Sequence, residues 1–173
     1  MAESLRASDE RVKSLVGFFL GDVRYAVDIF QVREVISPLP LVSLPQEHPA
    51  VVGVADHRGE VVTVVDLRRR LGLPAPSTSR STKWIVVTAG DRGVALIVDK
   101  VTGVFGTAAA EPRSADALGL SKSPCSVTSV WRHEGHLVFV LDIDHVAHLD
   151  LPLESEVFAQ LSRAAAIDER ADG

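Results

Sequence analysis

Short runs of Val, Leu and Ile, separated by turn residues, dominate the pattern of hydrophobic and polar positions along the chain. β-Branched side chains pack well on a pleated surface, so these runs predict strands rather than long helices. Dipeptides that contain Gly or Asp lie between many of the runs and predict tight turns. The predicted strands are residues 16–20, 25–29, 51–55, 61–65, 84–88, 94–98, 101–105, 127–132 and 137–141. The pattern therefore predicts a mainly β protein.

A few short helices are predicted between and after these strands. Asp28 precedes apolar residues at helical spacing in residues 29–36, and a proline at residue 38 is expected to end that helix. Asp66 and Asp142 each follow a strand and predict the N-caps of two further short helices. Apolar residues four positions apart predict a C-terminal helix over residues 153–166.

Two stretches of the chain recur in the same order. Residues 21–35 and 90–104 share their turn and apolar positions at an offset of 69, from Gly21 to Gly90. Residues 59–67 and 135–143 share theirs at an offset of 76, from Gly59 to Gly135. Chance similarity among valine-rich strands is the alternative, but the turn residues and the capping Asp match as well. We interpret the pattern as a duplication that gives two small barrels sharing one core.

The duplication suggests the domain organisation. We expect residues 1–14 to be a flexible lead, residues 15–149 to be one domain, and residues 150–173 to be a helix or tail. The halves of the domain are residues 15–80 and 81–149, with an exchange of strands between them left open. The polar N-terminus has no apolar signal core, and no apolar run approaches the ~20 residues that cross a bilayer.

Composition limits the classes of function. The net charge of −5 argues against nucleic acid as the main partner, because phosphate binding needs a concentrated positive field. The one dense basic run, Arg68–Arg70, is expected to be a solvated helix face. A single cysteine, Cys125, excludes an intramolecular disulfide and fits a cytoplasmic protein.

Four segments, in order, carry a resemblance to a known family. They are residues 18–36, Gly53-Val54 with residues 58–67, residues 94–104, and residues 138–143. Over residues 15–149 the chain resembles the CheW-like family of chemotaxis adaptors. The resemblance implies two intertwined SH3-like β-barrels, here of five strands each, with short helices.

The resemblance also implies a function without catalysis or cofactor. Members of the family are scaffolds that bind the regulatory domain of the CheA histidine kinase and the cytoplasmic tip of chemoreceptors. They place a receptor-binding groove between the barrels, and no equally clear motif marks the kinase-binding surface. The positions that correspond to the groove here are Val32, Glu34, Gly53, Val54, Asp56, His57, Arg58 and Gly59.

Two points at this groove stay open from the sequence. Val32 and Val54 either line the groove or belong to the core, since valine is among the most often buried residues. Glu34 pairs either with Arg58 within the protein or with a cation of the receptor.

Asp56-His57 departs from the Asn and aliphatic residue that the family usually has before Arg-Gly. The exchange leaves a CheW-like module with altered partners, in a non-motility pathway, as an alternative.

Rival classes of function have weaker support. A thiol enzyme would use Cys125 with His133 or His136, but Cys125 follows Pro124 in a Ser-rich stretch with nothing evident to lower its pKa. A metal site would use His133, His136, His145 and His148, without any standard ligand spacing. Surface histidines are the simpler interpretation. The chain also lacks a Gly-rich nucleotide-binding loop.

Overall fold

The computed structural model of the protein consists mainly of short strands, as the sequence predicts. The described residues are 12–45, 48–74, 79–113 and 127–149. The strands are β1 (Ser14–Leu20), β2 (Val23–Asp28), β3 (Val32–Ile36), β4 (Val51–His57), β5 (Glu60–Asp66), β6 (Lys83–Ala89), β7 (Arg92–Val98), β8 (Lys100–Gly106), β9 (Glu111–Arg113), β10 (Val127–His133) and β11 (His136–Leu141). The helices are α1 (Leu67–Arg70) and α2 (Ile143–Ala147), with 3-10 turns at Ile29–Gln31 and Thr107–Ala109. Within the described ranges, no helix is long and apolar enough to span a membrane.

The strands form two sheets, which we call sheet A and sheet B. Sheet A has the order β8-β1-β2-β11-β10-β9, and sheet B has the order β3-β6-β7-β5-β4. In sheet B, Glu34 on the edge strand β3 contacts His57 at the end of the opposite edge strand β4. In sheet A, Phe105 on β8 stacks on His133 at the end of β10. Each sheet therefore curls far enough to bring distant strands together, as in a small barrel.

Each barrel takes strands from both halves of the chain. Sheet A joins β1 and β2 to β8–β11, and sheet B joins β6 and β7 to β3–β5. The two exchanges use the same register. Thr63 and Val64 of β5 pair in parallel with Val94 and Ala95 of β7, and Phe139 and Val140 of β11 pair in parallel with Tyr25 and Ala26 of β2. These pairs are related by the offsets of 76 and 69, so the structure confirms the duplication.

One apolar cluster joins the two barrels. It contains buried residues of β1 and β2 from sheet A and of β4 to β7 from sheet B, together with residues of both helices. Phe18, Ile85 and Leu96 are at most 1% exposed within it. A barrel of this size buries only a marginal amount of apolar surface by itself, and the shared cluster adds buried surface to both barrels.

One predicted element is wrong, and one observed strand was not predicted. Residues 29–36 form only a 3-10 turn capped by Asp28, and then the strand β3, which pairs with β6. The β-branched residues that suggested helical spacing instead supply a sheet edge, where tertiary pairing outweighs periodicity. Residues 111–113, where the sequence pattern predicts no strand, form β9, and Pro112 is tolerated there because β9 is an edge strand.

The basic run Arg68–Arg70 is not a solvated helix face. The Arg68 side chain is only 15% exposed and binds Asp99, and Arg70 donates to carbonyl groups at the end of α2. Arg69 is half-exposed and pairs with Asp66. The prediction failed because the run lies between two barrels, which the sequence does not reveal locally. The predicted N-terminal lead over residues 1–14 is described only from residue 12, and its last residue, Ser14, already begins β1. The rest of this lead, the C-terminal helix over 153–166, and Cys125 lie outside the described residues.

Candidate functional site

The site begins with an irregularity in strand β3. Val32 pairs with Val87 and Glu34 pairs with Val86, so Arg33 is an extra residue between two consecutive pairs. Such a bulge disturbs the strict alternation of side chains along a strand. Arg33 and Glu34 consequently both reach the β4–β5 hairpin, although they are neighbours in sequence.

The hairpin that faces them turns tightly at Arg58-Gly59. Both residues have positive φ, 55° and 83°, as in the two-residue turns that match the twist of a hairpin. The Asp56 Oδ1 accepts a hydrogen bond from the Gly59 amide at 2.7 Å and fixes the turn. Asp56 therefore makes the backbone contact that an Asn at this position can also make, so the departure at residue 56 leaves the turn intact.

Glu34 connects β3 to this turn through both carboxylate oxygens. Arg58 Nη2 donates to Oε1 at 2.8 Å, and His57 Nε2 lies 3.1 Å from Oε2. The side chains are 33% exposed for Glu34, 12% for His57 and 76% for Arg58. Glu34 thus pairs with Arg58 within the protein, and the guanidinium is oriented while it stays accessible to a partner.

A second ion pair, which the sequence analysis missed, lies beside the first. Arg33 donates to Glu60 through Nη1 and Nη2, at 3.0 and 2.7 Å. These hydrogen bonds from Arg33 hold the pKa of the Glu60 carboxyl below its usual range. A Cβ on Gly93 would lie 2.8 Å from Arg33 Nη1 and 2.9 Å from Glu60 Oε1, so this glycine leaves room for the pair. No sequence signal reveals the pair, because it depends on the bulge.

Three of the predicted groove residues lie outside this polar cluster. Val54 is 3% exposed, and Val32 is half-buried against the main apolar cluster. Gly53 lies where the segment around Val42 runs antiparallel beside β4, and a Cβ there would overlap the Val42 carbonyl oxygen. Val42 and Val54 exchange backbone hydrogen bonds in this bridge. The structure therefore brings together Glu34, Asp56, His57, Arg58 and Gly59, and it leaves Val32, Gly53 and Val54 outside this cluster.

The residues of the rival hypotheses do not form a reactive cluster in the described part of the chain. His133 stacks on Phe105 with ring centroids 4.3 Å apart. Across the described ranges, no group of three or more metal-ligating side chains comes together. Cys125, the nucleophile of the thiol hypothesis, lies outside those ranges.

Comparison with known proteins gives consistent matches over this domain. Residues 14–150 match the family model described as CheW-like domain. The chain is 31% identical over 101 residues to a chemotaxis protein CheW of Helicobacter pylori, which covers 58% of this chain and 61% of that protein. It is 27% identical over 134 residues to the chemotaxis protein CheW of Bacillus subtilis, covering 78% of this chain and 86% of that protein.

A solved structure matches the fold. The scaffolding protein TtCheW of Thermoanaerobacter tengcongensis superposes with a TM-score of 0.70 at 22% sequence identity, covering 81% of this chain and 95% of that one. This likeness, together with the two curled sheets, confirms the prediction of two SH3-like barrel subdomains. Sheet A has six strands rather than five because β9 adds to its edge.

Proposed function

The chain belongs to the CheW-like domain family, and from this premise we propose that it is a non-catalytic adaptor coupling chemoreceptors to a CheA-type histidine kinase. The relatives named chemotaxis protein CheW and the TtCheW scaffold support this function. The proposed partners are the regulatory domain of the kinase and the cytoplasmic tip of the receptors. The proposed location is the cytoplasm.

The observation that carries the proposal is the way Arg58 is presented. Its side chain is 76% exposed, yet its turn is fixed by Asp56 and its guanidinium is oriented by Glu34. A planar guanidinium has five N–H donors, so a bond to Glu34 leaves others for a carboxylate or for carbonyl groups on a partner. Because the guanidinium is already oriented, less conformational entropy is lost when a partner binds it.

We place the receptor contact on Glu34, Asp56, His57, Arg58 and Gly59. Val32, Gly53 and Val54, which the resemblance also implicates, would support this surface from within the barrel. These three residues would then contribute by shaping the receptor-binding surface, without touching the receptor themselves. Glycine at residue 53 keeps β4 close to the Val42 segment, so it helps to set the position of the hairpin.

The proposed site is tested by the change Arg58→Ala, with Glu134→Ala as matched control. Glu134 occupies the same left-handed position in the β10–β11 turn, with φ 50°, and its side chain is 75% exposed. We expect Arg58→Ala to weaken binding to a receptor-tip fragment by about tenfold or more, typical for an oriented charged contact. The melting temperature should change little in both variants.

The measurement is a pull-down or titration with the receptor-tip fragment and, separately, with the kinase regulatory domain. Loss of receptor binding in Arg58→Ala, with retained kinase binding, supports the site. Unchanged receptor binding with a normal melt removes Arg58 from it. If the unmodified chain binds neither fragment, the adaptor function itself fails.

A second candidate is a CheW-like module with altered partners, in a non-motility pathway. The observation that favours it is His57, which is mostly buried beside Glu34 where the family usually has an aliphatic residue. A receptor that fits an aliphatic residue here would meet a polar ring instead. Changing His57 to Leu and measuring binding to receptor tips from several pathways distinguishes the candidates: a gain for chemotaxis receptors favours altered partners.

A further inference from the structure

The described strands show that the chain passes between the two sheets at two places. It leaves sheet A for sheet B after β2, through the 3-10 turn Ile29–Gln31. It returns from sheet B to sheet A between β7 and β8, where Asp99 is the single residue between the strands. A crossing of one residue can transmit orientation from one barrel to the other only if that residue is held firmly.

Asp99 is held from both barrels. Its amide donates to the Phe19 carbonyl of β1 at 3.1 Å, and its Oδ2 accepts from the Gly21 amide in the β1–β2 turn at 2.6 Å. Arg68 of α1, which follows β5 of sheet B, donates to both carboxylate oxygens, with Nε 3.0 Å from Oδ1 and Nη2 on Oδ2. Asp99 therefore ties the sheet A hairpin to the sheet B helix.

The surroundings keep this contact partly out of water. The side chains of Arg68 and Asp99 are 15% and 25% exposed. Arg68 is also held from its own side, because Nη1 donates to the Pro74 carbonyl at 3.0 Å. A bidentate contact between a guanidinium and a carboxylate is directional, whereas the apolar cluster that joins the barrels is not.

Arg70, two residues further along α1, makes a second connection. Its Nε donates to the Val146 carbonyl at 2.9 Å, and its Nη2 donates to His145 and His148 at 3.1 and 3.4 Å. These carbonyl groups lie at the end of α2, where a helix leaves its last acceptors unpaired. α2 continues directly from β11 of sheet A and packs against β6 of sheet B, so Arg70 helps to hold this continuation of a sheet A strand on the sheet B barrel.

The ionisation of the first pair agrees with a formed contact. Burial raises the pKa of the Asp99 carboxyl, but the hydrogen bonds from Arg68 and Gly21 outweigh it and hold this pKa below its ordinary value. The hydrogen bond to Asp99 raises the pKa of Arg68. Both groups are charged at neutral pH.

We propose that Arg68 and Asp99, assisted by Arg70, form a clasp that fixes the relative orientation of the two barrels. Its functional consequence rests on the proposed adaptor function. A scaffold that holds two partners at once must keep their sites in a defined relation, and the clasp supplies that relation. Arg68 and Asp99 are thus positioning residues, which need not touch either partner.

The first test measures the orientation without any partner. Spin labels are attached at Asp91→Cys in sheet B and Val104→Cys in sheet A, in the full chain with Cys125→Ser. Both positions are exposed, 90% for the Asp91 side chain and 60% for Val104. We expect one narrow distance distribution in the otherwise unchanged chain. Arg68→Ala and Asp99→Asn should broaden or shift it, and Arg69→Ala should leave it unchanged.

These variants separate a clasp from a general loss of stability. Arg69 is on the same helix, but its pair with Asp66 is local. Asp99→Asn keeps the size of the side chain and an oxygen for the Gly21 amide, so it removes mainly the charge. Arg68→Lys keeps the charge without the planar fork and should restore the narrow distribution only in part. A narrow, unshifted distribution in folded Arg68→Ala and Asp99→Asn overturns the proposal.

The second test measures bridging. The receptor-tip fragment is immobilised, the adaptor is added, and capture of the kinase regulatory domain is recorded. We expect each two-component affinity to stay within about twofold in Asp99→Asn, while capture of the third component falls by about tenfold, since simultaneous engagement depends on geometry. Equal capture by Asp99→Asn overturns the functional consequence. Failure of the unmodified adaptor to bind either fragment refutes the adaptor function, and the label distances still decide the clasp.

Discussion

The β4–β5 and β10–β11 hairpins have the same backbone and different chemistry. Arg58-Gly59 and Glu134-Gly135 turn with φ values of 55° and 83°, and of 50° and 78°. A histidine precedes each turn. In the first hairpin it contacts Glu34 of β3, and in the second it stacks on Phe105 of β8. The duplicated frame preserves the turn, while the strand that faces the turn decides whether it is charged or aromatic.

The facing strands explain the difference. At the offset of 69, Gly103 of β8 stands where β3 has Glu34, so the second copy has no carboxylate at that position. The charge of the exposed turn residue also differs, from positive at Arg58 to negative at Glu134. The two copies therefore present differently charged surfaces on the same backbone frame.

The first prediction exchanges the residue at the bulge of each hairpin and has the largest expected effect. Gly53 and Ser129 occupy equivalent places, since both pairings shift register just before them. Gly53→Ser should lower the free energy of unfolding by about 3 kcal/mol, because its side chain would overlap the Val42 carbonyl at a φ of 152°. Chemical denaturation measures the change.

Ser129→Gly is the matched control for this exchange. It removes the CH2OH side chain, whose oxygen accepts from Trp131 Nε1 at 3.1 Å, and it loosens the strand backbone, so the expected loss is about 1–2 kcal/mol. Equal losses of unfolding free energy in the two variants would show that the Val42 segment does not make residue 53 less tolerant of a side chain than residue 129.

The second prediction compares the two helix caps. The Asp66 side chain accepts from the amides of Arg68 and Arg69, at 3.0 and 3.3 Å, while Asp142 accepts from His145 at 3.3 Å. Asp66→Ala should therefore cost about 2 kcal/mol and Asp142→Ala about 1 kcal/mol of unfolding free energy. The corresponding Asn variants, which can still cap, should recover most of each loss. A larger loss at Asp142 would contradict this order.

The third prediction compares the two crossings between the sheets and has the smallest expected effect. At pH 7, Asp99→Asn should cost about 1 kcal/mol of unfolding free energy. The native pKa of Asp99 lies below that of the unfolded chain, so its contribution is complete above an unfolded pKa of about 3.9 and is lost as the pH falls through the native value. The difference between Asp99→Asn and the unmodified chain should therefore be constant from pH 7 to about 5 and shrink below about 4.

Phe30, at the other crossing, provides the control. Phe30 is 92% exposed and therefore buries little apolar surface. Phe30→Ala should change the unfolding free energy by less than about 0.5 kcal/mol at any pH in this range. Urea titrations across the pH series measure both variants. A pH-independent loss in Asp99→Asn would mean that the charge of Asp99 does not contribute to stability.

Local chemistry was enough to predict much of the molecule. Valine-rich runs predicted nine of the eleven described strands to within a few residues, because β-branched side chains favour a pleated surface. Asp66 and Asp142 marked two helix starts, and the glycines that recur at the repeat offsets marked the turns. Few other residue types suit an N-cap or a turn residue with positive φ. The recurrence of these signals at fixed offsets also revealed the duplication before any contact was known.

Only the tertiary structure decided what depends on residues far apart in sequence. The bulge that directs Arg33 and Glu34 to one hairpin arises from the pairing of β3 with β6, and the same pairing turned a predicted helix into a strand. Arg68 and Arg70 look like solvent-exposed charges until the strand exchange brings Asp99 and the end of α2 beside them. Apart from β3 and β9, local sequence was enough to determine which elements form, since propensity and capping act between near neighbours. The partners of each charge were decided by the packing of the two barrels, which no local pattern records.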